Sequence, residues 1–235
     1  MPVVLLFLLT VLAVVLMLVW RALRRARRAD FIRQFTLPQG LFDKLRQRHP
    51  QLTLKDCQLV AQALRQFFLA HHHSRLQQVS MPSQVTDDLW HEFILYTRNY
   101  QAFCQQAFGR FMHHTPAAVM GGQRRANAGL RRCWWFCCRA ENINPRNPTR
   151  LPLLFAIDAK LAIVGGFVYQ ANCAPARTAG TQGGAAVYCG GDFSDASFDG
   201  GTDGLGDSGA GVGPDGAGGD GGGGDGGGCG GGCGS

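Results

Sequence analysis

The amino-acid sequence predicts a mainly α protein with one N-terminal transmembrane helix, a small helical globular domain and a disordered Gly-rich C-terminal tail. The first observation is an uncharged apolar run from Val3 to Trp20 that five arginines follow. The second is the spacing of apolar residues three and four apart in the middle of the chain, which is typical of amphipathic helices. The third is the glycine content after residue 200, which is above one half. We divide the chain into residues 1–20, 21–30, 31–173 and 174–235.

The apolar run predicts a membrane anchor, because as a helix it spans about 28 Å, close to the thickness of one hydrocarbon core. No basic side chain precedes the run and no small-residue cleavage motif precedes the arginines, so an uncleaved anchor is favoured over a signal peptide. Residues 21–30 are expected to form a basic juxtamembrane turn, whose arginines can contact anionic head groups. These membrane-surface candidates are Arg21, Arg24, Arg25, Arg27 and Arg28.

Arginines beside an apolar helix stay on the cytoplasmic side of a membrane, because the positive-inside bias sets the orientation. The sequence therefore predicts a single-pass protein of a bacterial inner (cytoplasmic) membrane, with its C-terminal domain in the cytoplasm and the lipid bilayer as one partner. The net charge of +7 combines −8 from Gly190 onward with +15 in the rest of the chain. Because five of the arginines belong to the anchor and most others are scattered, nucleic acid is not favoured as a partner.

The nine cysteines show no secreted disulfide framework, and in a cytoplasmic domain they are expected to be reduced and buried. Within the globular part, a short helix is predicted over 39–48, where Pro50 stops it. A longer helix begins at Thr53, where Asp56 completes a capping box, and ends near His71. The three consecutive histidines 71–73 cannot readily chelate one ion, since neighbouring helical residues point about 100° apart, and they are assigned to the helix end.

The next predicted helix begins at Ser83 or Thr86, continues through Cys104 with a bend near Asn99, and ends at Gly109. Two further helices are predicted over 124–141 and 151–163, followed by one short strand over 167–169.

A dense set of polar and aromatic residues lies on this central helix and in the loop after it. Asp87 and His91 are four residues apart, so they share a helix face, where the carboxylate can fix the imidazole tautomer. Cys104 lies 13 residues beyond His91, about 20 Å along a straight helix, so the two share an ion only if the helix breaks. The candidate cluster is Asp87, Trp90, His91, Tyr100, Cys104, His113 and His114.

Three interpretations of this cluster remain open. In the first, His91, Asp87 and His113 bind zinc or another transition metal, although no H-E-x-x-H or C-x-x-C motif is present. In the second, Asp87 caps the helix and His91 is a hydrogen-bonded core histidine. In the third, Cys104 is a nucleophile that His113 or His114 activates.

Several blocks of the chain occur in the same order in a known family. They are Met81-Pro82-Ser83, Asp87 to Leu95, Tyr100 to Cys104, His113 to Pro116 and Leu151 to Asp158. With these blocks the chain resembles the glycine-rich domain-containing protein-like family over residues 31–173. The resemblance implies no established reaction, and it marks Asp87, Trp90, His91, Tyr100 and Cys104 as the positions of interest. Plant relatives carry a second histidine where this chain has Phe93, which is a departure from the family pattern.

Two functions are therefore predicted. The first is a membrane-anchored cytoplasmic module that serves interaction or scaffolding with an unknown protein partner, without catalysis. The second is a metal-dependent or thiol enzyme centred on His91, with Asp87 as the orienting carboxylate. The tail cannot bury enough apolar surface to fold, and its Cys229 and Cys233 are candidates for binding a soft metal.

Overall fold

The computed structural model describes residues 2–114, 123–171, 188–189 and 193, and it confirms the mainly α class. The predicted tail lies outside the described residues, apart from 188–189 and 193. Within the described ranges the helices are α1 Pro2–Gln34, α2 Leu41–Arg48, α3 Leu54–His73, α4 Gln84–Leu95, α5 Thr97–Ala107, α6 Gln123–Ala140 and α7 Leu153–Lys160. Strands β1 Tyr169–Gln170 and β2 Tyr188–Cys189 form one parallel pair.

Helix α1 is continuous from Pro2 to Gln34, so the predicted juxtamembrane turn at 21–30 is wrong and this segment is helical. The reason is its composition of Arg, Ala and Leu, which are strong helix formers, without Gly or Pro. Val3 to Trp20 are exposed to solvent along their whole length. Among the described helices, α1 is the one long and apolar enough to cross a membrane, and a signal sequence near an N-terminus has the same properties.

The end of α1 belongs to the globular domain. Ala29 and Ile32 are buried, and the Arg28 Nη1 atom donates a hydrogen bond to the Phe108 carbonyl at 2.9 Å. Phe31 packs against Phe103 with ring centroids 5.9 Å apart. The folded domain therefore begins inside α1, near Arg28, and not at residue 31.

Helix α3 lies at the centre of the domain and contacts α1, α2, α4, α6 and α7. Its capping box is confirmed, since the Thr53 hydroxyl accepts from the Asp56 backbone N–H while the Asp56 carboxylate accepts from the Thr53 N–H. One apolar face of α3, with Val60, Leu64 and Phe67, is completely buried. The other helices surround this face.

The predicted helix over 83–109 is two helices, because the chain breaks at Tyr96 between α4 and α5. Tyr96 has ψ 60°, and its N–H donates to the carbonyl of Phe93 rather than to that of residue 92. The predicted end at Gly109 is confirmed, since this glycine adopts a φ of 75° that L side chains rarely take. The break turns the α5 helix and the loop after it back toward α4.

Candidate functional site

The start of α4 is fixed by a carboxylate from another helix. The Ser83 hydroxyl caps the helix and accepts from the Thr86 N–H. Asp158 on α7 is 2% exposed, and it accepts hydrogen bonds from the N–H groups of Gln84 and Val85 at 2.7 and 3.2 Å. It also accepts from the Ser83 hydroxyl at 2.7 Å and from the Phe167 N–H at 3.0 Å. The orphan donors of the first helical turn are thus satisfied without Asp87.

Asp87 is therefore not the helix cap, and its carboxylate faces two histidines instead. Its Oδ1 atom lies 3.0 Å from Nε2 of His114, and its Oδ2 atom lies 3.4 Å from Nδ1 of His91. The Nδ1 atom of His91 also lies 2.9 Å from the Asp87 carbonyl oxygen, one helical turn earlier. The two imidazole rings are 4.2 Å apart between centroids. We call Asp87, His91 and His114 the metal cluster.

The metal cluster lies at the domain surface, with its three side chains covered to different degrees. The side chains of Asp87 and His114 are 24% and 15% exposed, and that of His91 is 44% exposed. The ring of buried Trp90 contacts His114 edge to face, with a centroid distance of 4.6 Å. On the side of the domain interior the cluster therefore packs on the aromatic ring of Trp90, and it is open to solvent at His91.

The sequence interpretation placed His113 in the metal set, whereas the structure brings His114 to Asp87. His113 is exposed, and its ring packs against Phe111 at 4.9 Å. The loop before His114 is held because the Tyr100 hydroxyl donates to the Met112 carbonyl at 2.6 Å. Neighbouring loop residues point in different directions, so sequence spacing alone could not decide between the two histidines.

Trp90, Tyr100 and Cys104 are core residues that support the site from the interior. The Trp90 Nε1–H donates to the Tyr100 hydroxyl at 3.2 Å, and all three side chains are buried. Burial raises the pKa of Cys104, whose thiol interacts with Tyr100 and with the backbone at Met112, and burial also raises the pKa of Tyr100. A buried thiol with a raised pKa is a poor nucleophile, so the geometry gives no support to the cysteine interpretation.

The three consecutive histidines at the end of α3 point in different directions, as predicted. The Nδ1 atom of His71 lies 3.1 Å from the Gln77 carbonyl, the Nε2 atom of His72 lies 3.2 Å from the Arg25 carbonyl, and the ring of His73 stacks on Phe136. Burial lowers the pKa of all three, that of His71 to about 4. They are neutral at pH 7, so they stabilise the helix end by packing and hydrogen bonds and not by charge.

Asp158 is the residue that sequence reasoning missed. The sequence feature that could have identified Asp158 is that it is the lone carboxylate within the apolar segment Leu151 to Ile163. A carboxylate in a buried helix needs hydrogen-bond donors around it.

The ligand atoms of the metal cluster fit a transition-metal ion. One atom from each of the three residues lies within 4.8 Å of the others. In a tetrahedral zinc site with bonds of 2.0–2.1 Å, ligand atoms are about 3.3 Å apart. The two contacts of Asp87, 3.0 Å from Oδ1 to His114 and 3.4 Å from Oδ2 to His91, are close to this value and are made by different oxygens of its carboxylate. Imidazole and carboxylate are ligands that zinc accepts. Asp87, His91 and His114 are the residues that would hold such an ion.

Comparison with known proteins gives one family. Residues 27–193 match the family described as UCP032817-like, and the match begins close to the point where α1 enters the core. No curated protein and no solved structure matches the chain. The resemblance to the glycine-rich domain-containing protein-like family stays a prediction.

Proposed function

The chain belongs to the UCP032817-like family, and we propose that it is a single-pass membrane protein whose cytoplasmic helical domain binds a transition-metal ion of the zinc class at the metal cluster. The observation that carries the proposal is the convergence of Asp87, His91 and His114 from a helix and a loop far apart in sequence. Family membership brings no activity with it, so the proposal depends on this geometry.

The arrangement favours an ion with an open coordination position. Three protein ligands that leave one position to water are typical of catalytic zinc sites, whereas structural sites are closed by four ligands. Because the His91 side chain is 44% exposed, an ion held here would be accessible to solvent. Such an ion can lower the pKa of a bound water or polarise a carbonyl or phosphoryl oxygen. Metal-assisted hydrolysis is the reaction class that this site would serve.

The membrane part of the proposal is supported by α1. Val3 to Trp20 form an uncharged, mostly apolar and exposed stretch, and Arg21, Arg24, Arg25 and Arg27 are exposed directly after it. A soluble protein would leave a large apolar surface in water with this helix, which a bilayer would cover. The arginines favour retention of the domain on the cytoplasmic side. Two reporter proteins fused to the C-terminus test this orientation. A reporter that is active only in the cytoplasm should be active, and one that is active only outside it should be inactive.

The decisive experiment is elemental analysis of the full chain, purified in detergent without a histidine tag. The full chain is needed because Arg28 and Ala29 pack against the domain. We expect a near-stoichiometric transition metal in the unmodified protein. His114→Ala should lose at least nine tenths of this metal, and the matched control His113→Ala should keep it, because of these two neighbouring histidines only His114 faces Asp87. Cobalt substitution should give a visible spectrum that His91→Ala abolishes.

An equal metal content in the His113 and His114 variants would contradict the proposal, as would a protein that binds no ion after dialysis against micromolar zinc. In that case Asp87 and the two histidines form only a hydrogen-bonded surface cluster. The interaction or scaffold role predicted from the sequence would then be the function to pursue.

A further inference from the structure

A basic cleft of about 1170 Å³ lies between the end of α1 and helices α3, α6 and α7. It shares no residue with the metal cluster. Its basic lining side chains come from separate elements and are Arg33, Arg65, Arg139, Arg150 and Lys160. Cations from distant parts of the chain converge here, although their mutual repulsion opposes folding.

The acidic residue that lines the cleft, Glu141, does not neutralise this charge. Its carboxylate accepts hydrogen bonds from Gln66 Nε2 at 2.8 Å and from the Leu153 N–H at 2.6 Å, and it forms an ion pair with Arg150. Glu141 and Arg150 therefore cancel each other, and Glu141 is held in place by three donors. Of the other four cations, Arg33 is paired with an aspartate outside the cleft, so Arg65, Arg139 and Lys160 give the cleft a charge of about +3.

These four cations are only partly engaged by the protein. Arg33 pairs with the exposed Asp30, and the Arg65 Nε–H donates to the Phe35 carbonyl at 2.9 Å. Arg139 lies over the ring of Trp135, and Lys160 forms no ion pair within the described residues. Guanidinium groups with free N–H donors are suited to phosphate and carboxylate oxygens.

The remaining lining combines the polar side chains of Gln62 and Gln66 with an apolar and aromatic wall. Leu59, Leu69 and Phe136 line it, and the Phe136 ring stacks on His73 with centroids 6.3 Å apart. A simple inorganic anion would leave this wall uncovered, and so would the tail of the chain, which consists mainly of Gly and Asp. The lining therefore favours an anionic ligand that also has an organic, planar group.

The position of the cleft on α1 indicates a ligand from the water phase. Arg33 follows Trp20 by 13 residues, which is about 20 Å along a helix. The head-group region extends only about 5–8 Å beyond the hydrocarbon core, so lipid phosphates would not reach the cleft. This step depends on the membrane anchor proposed above, and it does not depend on metal binding.

We propose that the cleft binds a water-soluble phosphate ester of the nucleotide class, with its phosphates among Arg65, Arg139 and Lys160 and its base against Leu69 and Phe136. The volume of the cleft is large enough for such a molecule.

The test is calorimetric titration of the full chain with ATP, in nanodiscs of uncharged phosphatidylcholine and with EDTA present, so that the metal cluster is empty. We expect saturable binding at submillimolar ATP. The double variant Arg139→Gln with Lys160→Gln should weaken it about tenfold. The charge-matched control, Lys44→Gln with Lys55→Gln, changes exposed residues outside the cleft and should bind as the unmodified protein does.

Three results would overturn the proposal. One is the absence of saturable binding up to 5 mM ATP in the unmodified protein, and another is an equal loss in both double variants, which would indicate only a general charge effect. The third is equally tight binding of tripolyphosphate or of a synthetic peptide of residues 200–225, because then the organic part is not recognised. If His91→Ala binds ATP as the unmodified protein does, the proposal of a nucleotide site in the cleft holds independently of the metal proposal.

Discussion

Substitution of Asp158 by Asn tests whether the metal cluster depends on the carboxylate that fixes the start of α4. The amide has nearly the same shape, but one of its two acceptor positions becomes an NH₂ donor. If that group replaces Oδ1, the Ser83 hydroxyl can rotate to accept from it, while the Val85 N–H loses its partner. If it replaces Oδ2, the N–H groups of both Gln84 and Phe167 lose theirs.

The expected loss of stability is about 2–4 kcal/mol. An unsatisfied buried donor costs about 1–3 kcal/mol. Removal of a buried negative charge from a helix N-terminus costs up to about 2 kcal/mol more. Since domains of this size are stable by about 5–15 kcal/mol, the variant should still fold.

Urea unfolding of the full chain in detergent micelles, followed by tryptophan fluorescence, measures this loss. At a slope of about 2 kcal/mol/M, which is in the usual range for small proteins, the midpoint should fall by about 1–2 M. The matched control is Asp30→Asn, which removes an exposed ion pair with Arg33 and should change stability by less than about 1 kcal/mol. Zinc affinity should fall in the Asp158 variant as well, because Asp87 and His91 lie within the first two turns of α4. An unchanged midpoint would refute the assignment of Asp158 as the carboxylate that fixes the start of α4.

Three further predictions concern the support of the site. Because burial lowers the pKa of His71 from 6.5 to about 4, the unfolded chain takes up a proton first, and stability should fall by up to about 3 kcal/mol as the pH drops from 6.5 to 4; His71→Gln should flatten this part of the curve, and an identical slope would contradict the reasoning. Tyr100→Phe removes the hydrogen bond to the Met112 carbonyl and should cost about 1–3 kcal/mol in urea unfolding while weakening zinc binding severalfold in competition titration; unchanged zinc affinity would mean that another contact holds the loop. Gly109→Ala brings a methyl group against the Arg28 guanidinium at a φ of 75°, so the melting temperature of the protein should fall by several degrees, and a neutral result would show that the α1 contact is adaptable.

Local signals in the sequence predicted much of this fold. The Thr53–Asp56 capping box and the end of α5 at Gly109 depend on hydrogen bonds within a few residues, and both are present. The sequence predicts a bend near Asn99, which is three residues later than the break that the structure shows at Tyr96. No Gly or Pro marks the break, and aromatic packing of the flanking residues, such as Phe93 against Tyr100, accompanies it.

The site was only half predictable for a similar reason. Asp87 and His91 share a helix face by simple periodicity, so their proximity follows from the sequence. The choice of His114 over His113 depends on where the loop backbone is held, which Tyr100 determines from another helix. The role of Asp158 depends on the packing of α7 against α4, a contact between residues more than 70 positions apart.

The unbroken α1 has a mechanical consequence for a membrane-anchored domain. Between Trp20 and Ala29 the helix is about 13 Å long and contains no hinge residue, so the domain would be carried at a set height above the bilayer and in a set rotation about the helix axis. One inserted residue in this stretch would turn the domain by about 100° relative to the anchor, and four would leave it about 40° from its original direction. In a membrane-anchored protein this part of α1 would therefore act as a spacer of defined length and angle. It would present the surfaces of the domain to other membrane components in one orientation, whereas a flexible tether would let the domain tumble.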